Sequence, residues 1–196
     1  TGRHVSENGR LLAAQLERFL ETYPIPIAEL VLIGHSMGGL VARSACHYAG
    51  LAQQPWLPLL SKLVCMASPH HGAPLERGGN WFHVITDLSA LTRPFSQLGK
   101  IRSCGITDLR YGNIIDEDWG KHDRFAHVGD QRHAVPLPQN VQCYAMAATT
   151  GKLAGDISDR LIGDGLVPLD SALGRDDEPG MSLDFAPQNQ WIGYEL

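Results

Sequence analysis

Leu30-Val31-Leu32-Ile33-Gly34-His35-Ser36-Met37-Gly38-Gly39 is the stretch on which the reading of this chain turns. Its first four residues form a short apolar run, which predicts a strand buried on both faces. A helical pattern resumes at Met37 and continues to about Tyr48. Between strand and helix stands Gly34-His35-Ser36-Met37-Gly38, a G-x-S-x-G motif in the context that gives it chemical meaning. A strand-to-helix turn this tight strains its backbone and brings it close to its neighbours. Gly34 and Gly38 are therefore expected to be glycines for want of room for a Cβ, and Ser36 to sit at the apex with its hydroxyl exposed as a nucleophile. The helix opening at Met37 aims its first amides at the same point, which makes the Met37 N–H a candidate oxyanion donor. His35 lies inside the turn and is expected to point away from the apex, packing and hydrogen-bonding beneath it.

Outward from that stretch, strands and helices alternate. Ser6 to Glu21 reads as an amphipathic helix with Leu12, Leu16, Phe19 and Leu20 on one stripe, Ser6 as its N-cap and Pro24 and Pro26 beyond its end. Leu63 to Ala67 and Val141 to Ala147 are further buried strands, the first closed by Ser68-Pro69. This succession predicts an α/β fold with a parallel central sheet flanked by helices. Residues 1–68 are read as core carrying the turn at Ser36, and residues 141–196 as core again. Residues 69–140 have a different texture, rich in Gly, His, Trp and Asp, with short helical patterns such as Trp81 to Leu91. A simple crossover needs about a dozen residues, so this stretch is read as an inserted lid or cap.

Composition narrows the function classes. The chain has 196 residues, 43 % of them hydrophobic and 19 % charged, with a formal net charge of −5. That is enough apolar material for a packed core, and it offers no basic field for nucleic acid. No apolar run approaches the ~18 residues of a membrane span. The 4 cysteines are too few for a disulfide scaffold. Cys46, Cys65 and Cys143 fall in apolar elements, where buried thiols behave as small hydrophobes, and they favour a reducing, cytoplasmic setting.

With these residues in view, Gly34-His35-Ser36-Met37-Gly38-Gly39 resembles the nucleophile elbow of lipase-type α/β-hydrolases. Ser68-Pro69-His70-His71-Gly72-Ala73-Pro74 is similar to the segment that leads into the lid of bacterial lipases. Gly163-Asp164-Gly165-Leu166-Val167-Pro168 resembles their catalytic-acid loop. The wider pattern looks like the bacterial lipase-like hydrolases related to the eukaryotic GPI inositol-deacylases. The resemblance implies an α/β-hydrolase fold and a serine hydrolase of carboxylic esters, acting through an acyl-enzyme on Ser36, with Asp164 as the acid that orients a histidine. Asp156 and Asp159 are rivals for that role, read otherwise as polar loop residues. Acyl transfer, amide or thioester cleavage on the same fold, or a hydrolase-like binding module without catalysis, are the alternatives. The expected ligand is a small-molecule or lipid ester, covered by the apolar insert, with no cofactor.

In this fold the histidine follows the acid in the chain, whereas the last histidine here is His133. The expectation is therefore a partial copy of the fold: both ends read as cut, the first strands are missing, and the catalytic histidine lies beyond Leu196. His70 and His71 are the alternative bases, and a site-shaping loop role is preferred for them. His122, Asp123, His127, Asp130 and His133 form a His/Asp cluster in the insert. It is read as solvated surface rather than a zinc site, because no helical pair of ligands supports a metal.

Overall fold

A computed structural model describes residues 2–72, 104–119, 130, 132–149 and 167–194. The first helix, α1, spans Val5–Thr22. Its cap is His4 rather than Ser6, because Glu7 accepts from the His4 amide at 2.7 Å and closes the first turn. Strand β1 spans Leu30–His35, helix α2 Met37–Ala52 and strand β2 Leu60–Met66. A short α3 covers Cys104–Leu109, strand β3 Gln142–Thr149, a one-turn α4 Leu169–Ala172 and strand β4 Gln190–Tyr194.

The four strands form one parallel sheet in the order β1-β2-β3-β4. Gly34 pairs with Cys65 and Cys65 with Ala145, so their C-terminal ends finish side by side. This is the edge at which open α/β sheets gather their sites.

One face of the sheet is packed. Leu63, Cys65, Cys143, Ala145 and Ala147 meet Ala42, Ala45, Cys46 and Ala49 of α2 in a single core cluster with Trp56 and Phe185. Small residues on α2 let the helix lie close to the strands, and Gly9 of α1 lets the second helix close in. A Cβ at Gly9 would stand 2.2 Å from Ser44 Oγ. Replacing Leu63, which is fully buried at the centre of this cluster, by alanine is expected to destabilise the protein by about 2–5 kcal/mol in urea titration.

The other face is open, which departs from the expectation of a strand buried on both sides. Ile33 is 68 % exposed and Trp191 48 %; Val31 is exposed two residues before Ile33 on the same strand, and Met66 and Met146 are exposed in register with Trp191. The cause is the two-residue period of the strand: among the described residues helices cover only the face that carries Leu32 and Leu63.

The described part of residues 69–140 is built into the domain. Ile114, Ile115 and Val135 pack with Val5 and Leu40, and Ser44 Oγ donates to the Ile114 carbonyl at 2.6 Å. His4 stacks on Trp119 with centroids 3.7 Å apart, and its Nδ1 lies 3.0 Å from a buried Asp108 carboxylate that also accepts from the Val5 amide. These contacts run along the α1 and α2 side. The Trp81 to Leu91 pattern lies outside the described residues.

Candidate active site

Ser36 stands at the junction of β1 and α2 with φ 53° and ψ −127°, a conformation costly for any residue with a side chain. Neighbours hold it there. Its amide donates to the Met66 carbonyl at 2.8 Å, and its own carbonyl accepts from Gly39 at 3.1 Å. The side chain makes no capping bond to α2. Met37 and Gly38 follow as the first residues of that helix, where amides lack intrahelical acceptors. Ser36, Met37 and Gly38 are all half-buried, so hydroxyl and helix start share one partly open corner of the sheet edge.

The glycines divide differently from expectation. A Cβ on Gly34 would lie 2.5 Å from the Gly39 nitrogen and 2.6 Å from the Gly38 carbonyl, so the turn closes only over a hydrogen. Gly38 has nothing within 4 Å among the described residues, and the crowding expected of it falls on Gly39, whose Cβ would stand 2.0 Å from Ser68 Oγ. Ser68 is fully buried, because β2 ends directly behind the first turn of α2. His35 is exposed rather than packed beneath the turn. It lies in register with Met66 on the uncovered face of the sheet, so nothing described there encloses it.

His70 is 1 % exposed and lies against α2, its Nδ1 3.2 Å from Arg43 Nη1 and its ring 5.4 Å from that of Phe185. His71 Nδ1 contacts Arg132 at 2.9 Å and Asp176 at 3.1 Å. Ser171 of α4 ties this loop down, donating to the Gly72 carbonyl at 2.6 Å and accepting from the His71 amide at 3.1 Å. The loop is pinned from the other side as well, since a Cβ on Gly72 would meet the Arg110 carbonyl at 2.2 Å. Among the described residues no histidine hydrogen-bonds to Ser36.

Ser68 belongs to the segment 68–74 read from the sequence, whereas Arg43, Arg132 and Ser171 carry no motif in it. Arg43-Ser44 did carry a signal: it is the one polar pair between Leu40 and Cys46 in an otherwise apolar helical stretch. Asp164, its rivals Asp156 and Asp159, and His122, Asp123 and His127 lie outside the described residues. Of the remaining His/Asp cluster, Asp130 pairs with Arg132, and His133 lies 3.2 Å from Asp118. Among the described residues no three His, Cys, Asp or Glu side chains are grouped to hold a metal.

Burial drives the His70 pKa well below the ordinary 6.5, with the Arg43 and His71 charges adding to the effect. Burial lowers His71 too. The folded state therefore refuses a proton that the unfolded chain accepts below about pH 6.5. Stability is expected to hold above that pH and to fall beneath it, with His70 contributing up to about 1.4 kcal/mol per pH unit. Urea midpoints at pH 7.5 and 5.5 measure this, and His70→Gln is expected to flatten the profile.

A family model described as the PGAP1-like alpha/beta domain matches residues 1–144. No curated protein matches the sequence. Among solved structures, the mature form of Bacillus licheniformis lipase BlEst2 is similar at a TM-score of 0.50 and 14 % identity, covering 98 % of this chain and 67 % of that one. Its propeptide form is similar at a TM-score of 0.50 and 15 % identity, covering 87 % of this chain and 34 % of that one. This chain thus spans about two thirds of one and one third of the other. The parallel sheet with its flanking helices is a lipase-like α/β-hydrolase fold.

Proposed function

The chain belongs to the PGAP1-like alpha/beta domain family, and from that premise we propose that it is a serine hydrolase of carboxylic esters acting through an acyl-enzyme on Ser36. One observation carries the reading: a non-glycine residue held at φ 53° where a parallel strand turns into a helix. Such strain is retained where it aims a side chain that the fold uses. Ser36 Oγ attacks the acyl carbon while a histidine base takes its proton, and the oxyanion that develops is held by the Met37 N–H. The tetrahedral intermediate collapses, the alcohol leaves with a proton from the same base, and water repeats the sequence to release the acid.

Asp164 is the proposed orienting acid, on the resemblance of Gly163-Asp164-Gly165 to the acid loop of bacterial lipases. His70 shapes the site from behind and does not act as the base: it is buried, and its Nδ1 is engaged by Arg43. Residues 69–140 are proposed to serve in two parts. The described segments brace α1 and α2, and the apolar remainder covers an ester with an apolar acyl chain. The solved lipase of the same fold is in keeping with such a substrate.

Fluorophosphonate labelling of the full-length protein, together with turnover of p-nitrophenyl esters of increasing chain length, tests the assignment. Labelling that disappears in Ser36→Ala is expected. A protein that takes no label, or one that takes it equally without Ser36, sinks the proposal.

A further inference from the structure

Among the described residues four non-glycines sit on a left-handed backbone: Ser36, Gln53, Ala67 and Asn140. Gln53 caps the C-terminal end of α2, where that conformation is common, and asparagine adopts it readily. Neither reason applies to Ala67, at φ 46°. Ala67 follows directly on β2, one position past Met66, just as Ser36 follows its register partner His35 on β1. Two strained residues thus stand side by side on adjacent strand ends, and hydrogen bonds tie them together.

The peptide that joins Met66 to Ala67 is trans and is held at both ends. Its carbonyl accepts from the Ser36 amide at 2.8 Å, and its N–H donates to the Met146 carbonyl at 2.7 Å. One rigid plane therefore runs from the backbone of Ser36 to β3. The chain has to leave that plane without turning it. An extended φ at Ala67 would carry Ser68 onward along the strand. The left-handed φ instead turns the chain back behind the first turn of α2, where Ser68 is fully buried against Gly39. There the Ser68 carbonyl accepts from the His70 amide at 2.9 Å, which fixes the course of the chain beyond the turn.

We propose that Ala67 is a positioning residue for the nucleophile: its left-handed backbone fixes the Met66–Ala67 peptide, and that peptide's carbonyl fixes the strained turn at Ser36. The role rests on the reading of Ser36 as nucleophile. A side chain that resists this φ must rotate the peptide and lose the bond to Ser36 or the bond to Met146. β-branched residues resist it most, whereas glycine and asparagine accept it.

Fluorophosphonate labelling of the full-length protein, as a rate per folded molecule, tests this in Ala67→Gly, Ala67→Asn and Ala67→Val. Asparagine and valine are close in size, so bulk alone would slow both alike. The expected order follows the backbone: glycine and asparagine label within about threefold of wild type, and valine on the order of 10²-fold slower, the cost of a misplaced reacting group. In the valine variant kcat for ester turnover is expected to fall in parallel, with KM little changed. A folded Ala67→Val that labels at the wild-type rate, or Ala67→Asn as slow as Ala67→Val, overturns the role. Should Ala67→Val not fold, amide hydrogen exchange of the wild type decides. Protection of the Ser36 and Ala67 amides is expected to agree within about tenfold, because release of one peptide opens both, and a larger difference overturns the role. A wild type that takes no label at Ser36 refutes the hydrolase reading itself, whereas a difference confined to the Ala67 variants bears on Ala67 alone.

Discussion

Ser36→Ala is expected to lower kcat for ester hydrolysis by on the order of 10⁶, the loss that follows when a serine hydrolase forfeits its nucleophile. KM is expected to change little, because the hydroxyl contributes to bond formation rather than to holding an acyl chain. Stability is expected to change little in the same variant. The Ser36 side chain makes no capping bond to α2, and its structural hydrogen bonds are through its backbone amide and carbonyl. Alanine at φ 53° bears the same kind of strain as serine, so the turn keeps its shape. This split separates a nucleophile from a structural serine. Full-length Ser36→Ala that unfolds at the wild-type urea midpoint yet has no turnover supports the role; one that retains more than about a hundredth of the rate removes it.

Gly34→Ala is expected to act on both quantities at once. The added methyl would be placed 2.5 and 2.6 Å from the backbone atoms of Gly39 and Gly38, and backbone has no rotamer with which to move away. The first turn of α2 must shift, which moves the Met37 amide relative to Ser36. Destabilisation of about 3 kcal/mol or more is expected from overpacking a fixed site, with turnover reduced even at temperatures where the variant is folded. Gly39→Ala is the instructive contrast. Its clash is with the Ser68 side chain at 2.0 Å, so Ser68→Gly is expected to restore part of the loss, whereas no side-chain deletion rescues Gly34→Ala. Urea titration of the three single variants and of Ser68→Gly combined with each glycine variant measures this. Rescue of both glycine variants alike, or of neither, would contradict the assignment of the contacts.

Local chemistry accounts for what was legible in the chain. The strand before Ser36, the helix after it and the parallel alternation of the core could be read because a strand-turn-helix and an apolar strand are short-range objects. The positive φ of Ser36 and the close approach at Gly34 follow from the same ten residues. Boundaries moved by a few residues: the cap of α1 passed from Ser6 to His4 because a glutamate at position 7 folds back onto the His4 amide.

Partners far apart in the chain were a different matter. Which glycine needs its bare Cα at the back of the turn depends on where Ser68 arrives, and that is decided by β2 ending behind α2. Val31 and Ile33 read as buried, yet a strand's second face is buried only if another element lies on it. His70 read as a loop residue near the site, but its meaning rests on Arg43, 27 positions away, and on the burial that keeps it neutral. The sequence by itself determined the turn at Ser36, because steric limits on a strand-to-helix junction act between adjacent residues. Only the tertiary structure decided what surrounds that turn, including the buried pair of Arg43 and His70, because burial and charge compensation are properties of elements that meet in space.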